Sequence, residues 1–463
     1  MERKNAWAAY AGDDGRVEAF AKAYCDFINN GKTERECVAY GEKLAKAHGF
    51  EDLNAVVRSG RKLNAGARVY VNWMGKSFML FVLGEKPLEE GMNILGAHID
   101  SPRIDVKQNP LYEDTDLAYL DTHYYGGIKK YQWVAIPLAL HGVIVRKTGE
   151  KVIINIGEDE NDPVFCISDL LVHLAQEQMT KNAKEVVEGE ALNLIVGGRP
   201  LEGEEKDAVK ANVLKLLADK YGVEEEDFLS AELEIVPAGK ARDMGFDRSM
   251  ILAYGHDDRV CAYPSMMAVL DYEGTPEYTL CCIVTDKEEI GSVGATGMAS
   301  HYLENTVAEL YACTADYCEL AVRRCLRNSR MLSSDVSAGY DPNFASAFEK
   351  KNSAFLGRGI CFNKFTGSRG KSGSNDANPE FMASLRKIMD DAGVAFQTAE
   401  LGRVDLGGGG TIAYLCAKYG MNVIDSGIAV LSMHAPYEVI SKVDLYEGYR
   451  GYCAFLQGAK PVE

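Results

Sequence analysis

No C-x-x-C spacing occurs among the twelve cysteines, which are scattered and include the adjacent pair Cys281-Cys282 inside an apolar run. That pattern excludes a thiolate zinc motif and argues against a disulfide framework, leaving reduced, mostly buried thiols as the expectation. Positive charge is short as well. Fifty Lys+Arg stand against 68 Asp+Glu, a formal net charge of −18, so a phosphate backbone or an anionic membrane would be repelled, and neither nucleic acid nor membrane is expected as a partner. No apolar run approaches the roughly 18 residues of a spanning helix. The first residues, MERKNAWAAYAGDDGR, carry no apolar signal-peptide core, and the expected location is cytoplasmic. Nucleotide signatures are missing too: neither Gly291-x-x-Gly294-x-x-Gly297 nor the glycines at 407–410 has dinucleotide-fingerprint spacing or a Gly-Lys-Ser/Thr ending. No internal repeat is visible. Histidine is sparse, at eight residues.

What is present is apolar residue enough, 47% of 463, for a sizeable core and two or more domains. The stretch TLCCIVTDKEEIGSVG (279–294) is the centre of the chain. Residues 279–284 read as a buried strand, and the glycines after them as the loop before a helix over 296–310. Glu288 and Glu289 therefore sit at a strand's carboxyl end, where open α/β sheets place their ligand crevice. Upstream, residues 14–29 carry a helical stripe, and Thr33 with Glu36 makes a capping box for a second helix running to Gly49. Residues 92–97 read as a buried strand ending in His98-Ile99-Asp100. From Arg103 the texture changes to an apolar segment at 133–145, a helix near 168–179, an acidic polar stretch and an amphipathic helix near 207–221. The last third alternates again, with a strand at 310–315, helices near 344–351 and 379–392, a helix opened by the glycines at 407–410, a strand at 422–430 and a closing helix at 442–455. The alternation predicts a mixed, mainly parallel sheet with helices on both faces, plus an inserted smaller β-rich domain. The predicted domains are 1–102 and 240–463 for the catalytic part, with 103–239 inserted.

Five short motifs end or follow predicted strands: His98-Ile99-Asp100, His256-Asp257-Asp258-Arg259, Glu288-Glu289, Ser334-Asp335-Val336 and Met433-His434. Imidazoles and carboxylates without thiolates suit one or two catalytic ions such as zinc, cobalt or manganese. Asp100, two residues past His98, lies on the same side of an extended chain and could hold the second imidazole nitrogen. Taken singly, each motif has a plainer account: His98 as a core histidine, Asp258 as a helix cap before Arg259, residues 286–289 as a solvated turn. Together they would form a repulsive carboxylate cluster with no offsetting cation, and a metal accounts for all of them.

These residues, in this order, resemble the M18 metallo-aminopeptidases, the aspartyl aminopeptidases, of the co-catalytic zinc aminopeptidase type. GAHIDSPRIDVK, DKEEIGS and SSDV…DPN carry the likeness, which spans nearly the whole chain. It implies two divalent ions, with His98 and either Asp335 or Glu289 on separate metals, Asp257 bridging, His434 completing the set, and Asp258 following the bridge, a position often joined to it by a cis peptide. Glu288 resembles the general base, and peptides are the implied substrates. A homo-oligomer is implied, typically a dodecameric shell, with the apolar segment 133–145 read as an edge open to pairing. The departures Ala338 and Asp341, and Ala135 and Ile136, fall where the family commonly has histidines and an acidic-basic pair, and bear on acidic-residue specificity rather than metal binding. The loop 362–378, with Lys364, Arg369 and Lys371 against Asp376, could close over an acidic substrate. Rival readings are a deacylase or carboxypeptidase on the same metal site, and a non-catalytic assembly protein.

Overall fold

The run TLCCIVT forms a fully buried strand, Thr279–Thr285, at the centre of the computed structural model, which describes residues 4–462. Both faces of this strand are covered. Leu280, Cys282 and Val284 point into one core cluster, Cys281 and Ile283 into another, so the period of two reads on both sides of the sheet.

The chain divides into two units. The first takes residues up to Asp100, Ala241–Met433 and residues from Glu438 onward; the second takes Ser101–Lys240 with His434–Tyr437.

In the first unit nine strands run edge to edge as Glu51–Asp52, Arg68–Trp73, Ser77–Val82, Thr279–Thr285, Met92–His98, Arg330–Ser334, Asn422–Gly427, Ile360–Asn363 and Phe396–Thr398. The middle four are parallel, with Thr285 beside His98 and Ser334 beside Ser426. Their carboxyl ends therefore lie together. Antiparallel pairings flank them. One face is covered by helices Gly15–Asn30, Glu34–Ala47, His256–Leu270, Pro379–Asp391 and Lys442–Gly458, the other by Leu53–Ser59, Tyr302–Thr314, Glu319–Asn328 and Ala413–Ala417. The mixed, mainly parallel sheet with two helical layers is as the sequence predicts. The capping box also forms: Glu36 N donates to Thr33 Oγ1 at 3.2 Å and Thr33 N to Glu36 Oε2 at 3.1 Å. A smaller five-stranded sheet joins Arg242–Met244, Met250–Ala253, Glu438–Ser441, Ala429–Leu431 and Ser337–Ala338.

The second unit is built on six antiparallel strands, ordered Lys151–Ile156, Leu138–Val145, Ala231–Pro237, Arg103–Asp114, Leu117–Tyr125 and Leu194–Gly197, with the helix Ala208–Tyr221.

Several local expectations are corrected. The segment 133–145 is no open edge: Leu138–Val145 is paired on both sides, and Trp133 is fully buried. Residues 310–315 form no strand, because Leu310 and Tyr311 continue the stripe of Leu303 and Val307 in the helix Tyr302–Thr314. That helix starts six residues later than expected, after turns at 296–301. No helix covers 168–179, which is irregular up to a short 3-10 turn at Gln178–Thr180. Its apolar residues are consecutive rather than striped, and Leu170, Leu171, Val172 and Leu174 are exposed. Residues 344–351 hold two 3-10 turns, Pro342–Ala347 and Lys350–Asn352, and the helix after the 407–410 glycines is only Ala413–Ala417.

Candidate metal centre and active site

His98 is the last residue of its strand and is buried. Its Nδ1 lies 3.0 Å from the Asp100 carbonyl oxygen and 3.4 Å from Asp100 Oδ1. Since those oxygens only accept, Nδ1 carries the proton and Nε2 is left facing outward. Three carboxylates meet it there: Asp257 Oδ1 at 3.2 Å, Glu288 Oε2 at 3.9 Å and Asp335 Oδ1 at 4.0 Å. Burial alone would lower the imidazole pKa. The hydrogen bonds with Asp100 and Asp257 and the charge of Glu288 outweigh it and hold His98 well above its ordinary value.

Four chain segments bring these groups together. Asp257 and Asp258 are joined by a cis peptide and have non-helical backbone angles at the start of the helix His256–Leu270. Asp257 N donates to Glu438 Oε2 at 3.0 Å, which turns the Asp257 peptide toward the five-stranded sheet. Arg259 anchors the next turn, its Nε on the Ile99 carbonyl (3.1 Å) and its Nη2 on the Lys32 carbonyl (2.9 Å). In an extended chain Glu288 and Glu289 would point to opposite sides. Here they open a 3-10 turn, Glu288–Ile290, after Lys287 at φ +68°. Asp100 fixes that turn, its Oδ1 accepting from Glu288 N at 3.1 Å and its Oδ2 from Glu289 N at 3.2 Å. Asp335 follows the strand Arg330–Ser334, and its carbonyl passes so close to Gly427 that a Cβ there would lie 1.9 Å from the oxygen.

Among the described residues, His98, Asp257 and Glu289 offer ligand atoms within 4.8 Å of one another, as do His98, Glu288 and Asp335. Burial, then Glu288 and Asp257, push the Asp335 carboxyl well above its usual range; burial chiefly pushes Asp258 up to about 8. So much crowded negative charge around one imidazole is what a cation would relieve, and this donor set of nitrogen and oxygen fits a borderline or hard divalent ion.

Two further motif histidines have their own partners. His256 is a core residue: its Nδ1 is 2.7 Å from the Tyr24 hydroxyl and its Nε2 3.2 Å from the Ile251 carbonyl. His434 belongs to the second unit, with Nδ1 2.9 Å from the Gly127 carbonyl. In the loop 362–378, Lys364 and Lys371 both pair with Asp376, and Lys371 lies over the Phe365 ring at 3.9 Å. The Arg369 side chain lies outside the described part of the structure. Sequence reasoning missed Glu438 behind Asp257. It also missed Asp425, whose Oδ1 accepts from Thr411 at 2.5 Å and whose carboxyl burial pushes up to about 7, with Glu288 adding to the rise. A lone acid in an apolar strand, as in NVIDSG, is the only signal either left.

A family model described as Aminopeptidase I zinc metalloprotease (M18) matches residues 27–456. The chain belongs to the M18 aminopeptidase family. A probable M18 family aminopeptidase 1 of Clostridium acetobutylicum is 58% identical over 459 residues, 98% of each chain. Among solved structures, the M18 aminopeptidase of Thermotoga maritima superposes with a TM-score of 0.94 at 43% identity, covering 99% of this chain and 100% of that one. Aminopeptidase I of C. acetobutylicum gives 0.92 at 56%, covering 98% and 99%. The M18 chain is thus a metallo-aminopeptidase, a hydrolase with the co-catalytic zinc peptidase fold. Membership selects the aminopeptidase over the deacylase, carboxypeptidase and assembly-protein readings. None of the described helices of this M18 enzyme is long and apolar enough to cross a membrane.

Proposed function

We propose that this aminopeptidase removes N-terminal residues from peptides at a dinuclear site held by His98, Asp257, Glu289 and Asp335, with Asp257 shared between the ions and Glu288 as general base. The observation that carries it is the Nε2 atom of His98 facing three carboxylates within 4.0 Å. Two divalent ions, zinc in the first place and cobalt or manganese as alternatives, would supply Lewis acidity to the scissile carbonyl and an acidic water. Glu288 takes the proton of the attacking water and returns it to the leaving amine. Asp100 holds His98 by its second nitrogen and holds the Glu288–Glu289 amides, so it positions both a ligand and the base. His434 joins the ligand set on the family resemblance alone. Glu288→Gln tests the base: kcat should fall about 10²–10⁴-fold with metal content unchanged, and a Gln variant of full activity overturns the role.

An acidic N-terminal residue as preferred substrate belongs to the same reading. Lys364 and Lys371 are engaged by Asp376 within their own loop, so an acidic side chain would compete with Asp376 for them. Comparing kcat/KM for Asp, Glu, Leu and Ala peptides in wild type and Lys371→Ala decides it. Residues 103–239 are proposed to serve self-association, dodecameric as in the family. Leu171, Val172 and Leu174, 57–70% exposed, and Ile153 on the outermost strand, 67% exposed, offer the apolar surface. A monomer by light scattering at working concentration contradicts it.

A further inference from the structure

Beneath the turn that carries Glu288 and Glu289 lies a second group of charges that the proposed chemistry does not touch. Glu34, the first residue of its helix, and Asp286, just past the central strand, are both fully buried. Between them runs Lys76 from the hairpin turn, 8% exposed, with Nζ 2.9 Å from Glu34 Oε1 and 3.7 Å from Asp286 Oδ2. Asp286 Oδ2 also accepts from Thr296 Oγ1 at 2.6 Å and meets Lys287 Nζ at 3.0 Å. The Asp286 amide is fixed as well, donating to Ser77 Oγ at 3.2 Å. Two residues on, the chain turns into Glu288 and Glu289, whose own amides are held by Asp100. The turn is thus pinned from both ends, by Asp100 above and by Asp286 below.

Nothing in the local sequence requires a lysine at this depth. Met74-Gly75-Lys76 is a hairpin turn, where lysines normally reach solvent. A buried Lys against two buried carboxylates is not an economical source of stability, because desolvation offsets most of the attraction. Its geometric effect is sharper. With Lys76 in place Asp286 is drawn toward Glu34; without it the two carboxylates repel, and Asp286 carries the Glu288–Glu289 turn with it.

We infer that Lys76, clamped between Glu34 and Asp286, is a positioning residue for the peptidase reaction, setting the turn that places Glu288 and Glu289. The inference rests on the reading of Glu288 as base and Glu289 as ligand, and Glu288→Gln tests that reading separately.

The experiment is a charge cycle on the purified, zinc-loaded enzyme: Lys76→Met, Glu34→Gln and the double variant, each measured for kcat, KM and, by competition with a chromogenic chelator, zinc affinity. Lys76→Met should lower kcat and weaken zinc binding by about tenfold or more, the scale seen when a ligand's supporting partner is lost, with KM nearly unchanged. Glu34→Gln with Lys76→Met should recover most of both losses, since Asp286 keeps Lys287 and Thr296 and no longer faces the Glu34 carboxylate. A purely structural lysine predicts lowered stability with wild-type kcat and zinc affinity in the folded Lys76→Met enzyme. Wild-type kcat and zinc affinity in Lys76→Met, or no recovery in the double variant, overturns the inference. Should Lys76→Met fail to fold, Thr296→Val loosens Asp286 without moving a charge: a fall in kcat at constant KM supports the clamp, and wild-type kcat refutes it. If Glu288→Gln keeps full activity, the base assignment falls whichever way the cycle reads.

Discussion

His256 sets a pH limit on the stability of the first unit. Its Nε2 faces the Ile251 carbonyl, an acceptor only, so Nε2 holds the single proton and Nδ1 accepts from the Tyr24 hydroxyl. Protonating Nδ1 would break that bond inside a fully buried pocket where Tyr24 stacks on the ring at 5.7 Å. Burial first, with the Arg259 charge adding and the Ile251 hydrogen bond opposing, lowers the pKa from 6.5 to about 3. A depressed imidazole favours the neutral form in the fold. The unfolded chain takes up a proton below 6.5 and the folded one does not, so the contribution is complete above pH 6.5 and is lost as pH falls toward 3. Between pH 7 and pH 5 the loss is about 2 kcal/mol, from 1.36 kcal/mol per pH unit below the unfolded pKa. Urea unfolding followed by tryptophan fluorescence at pH 7 and pH 5, in chelator so that metal loss does not enter, measures it in wild type and in His256→Gln. Gln keeps one donor and one acceptor but cannot titrate. The variant should lose about 2 kcal/mol less than wild type over that interval. An equal loss in the two proteins would show that His256 protonates freely in the fold and would refute the assignment.

Other outcomes follow from the same geometry. His98→Ala and Asp257→Ala should each reduce bound metal, Asp257→Ala affecting both ions, and His434→Ala tests the resemblance-based ligand; metal analysis by mass spectrometry reads all three. Chelation should abolish peptidase activity, with zinc, cobalt or manganese restoring it, and normal cleavage by stripped enzyme would show the site misread. Asp100→Asn puts an amide NH₂ against a backbone N–H and should weaken metal affinity about 10–100-fold, measured by chelator competition. Thr33→Ala removes the cap on Glu36 N and should cost about 1 kcal/mol in denaturant unfolding, with kcat unchanged.

The parts of the fold legible in the sequence were those where burial is two-sided and periodic. TLCCIVT and residues 92–97 are unbroken apolar runs because both faces of a central strand are covered, and the carboxylates just past them stand out by contrast. Where a run is short, period fails to separate helix from strand: Leu310–Tyr311 reads as strand in isolation and as the last turn of a helix once Leu303 and Val307 are seen beneath it. Residues 168–179 misled for the opposite reason, since their leucines suggest a buried face and lie exposed. In the site, His98, Asp257, Glu288 and Asp335 were visible as motifs, whereas their mutual distances were not. Two adjacent glutamates are both brought near His98 by the 3-10 turn and the Asp100 carboxylate, a non-local contact with no local signature. Glu438, Asp425 and Lys76 left no motif because their roles arise only from burial beside a distant segment.

The first unit closes on itself across an interruption of about 140 residues between Asp100 and Ala241. His98 and its strand neighbour Thr285 are therefore brought side by side from opposite sides of that interruption. Loop closure grows only logarithmically, so stretching a connection from about 20 residues to about 140 adds roughly 1.7 kcal/mol of entropy; the thermodynamic burden is modest. The kinetic one is larger, because long-range parallel pairing is slow and must precede any arrangement of His98 with Glu288. During refolding, the ability to capture zinc should thus emerge with the final association of the two sheet halves rather than with early helix formation. The metal would act as a late reporter of correct threading around the interruption.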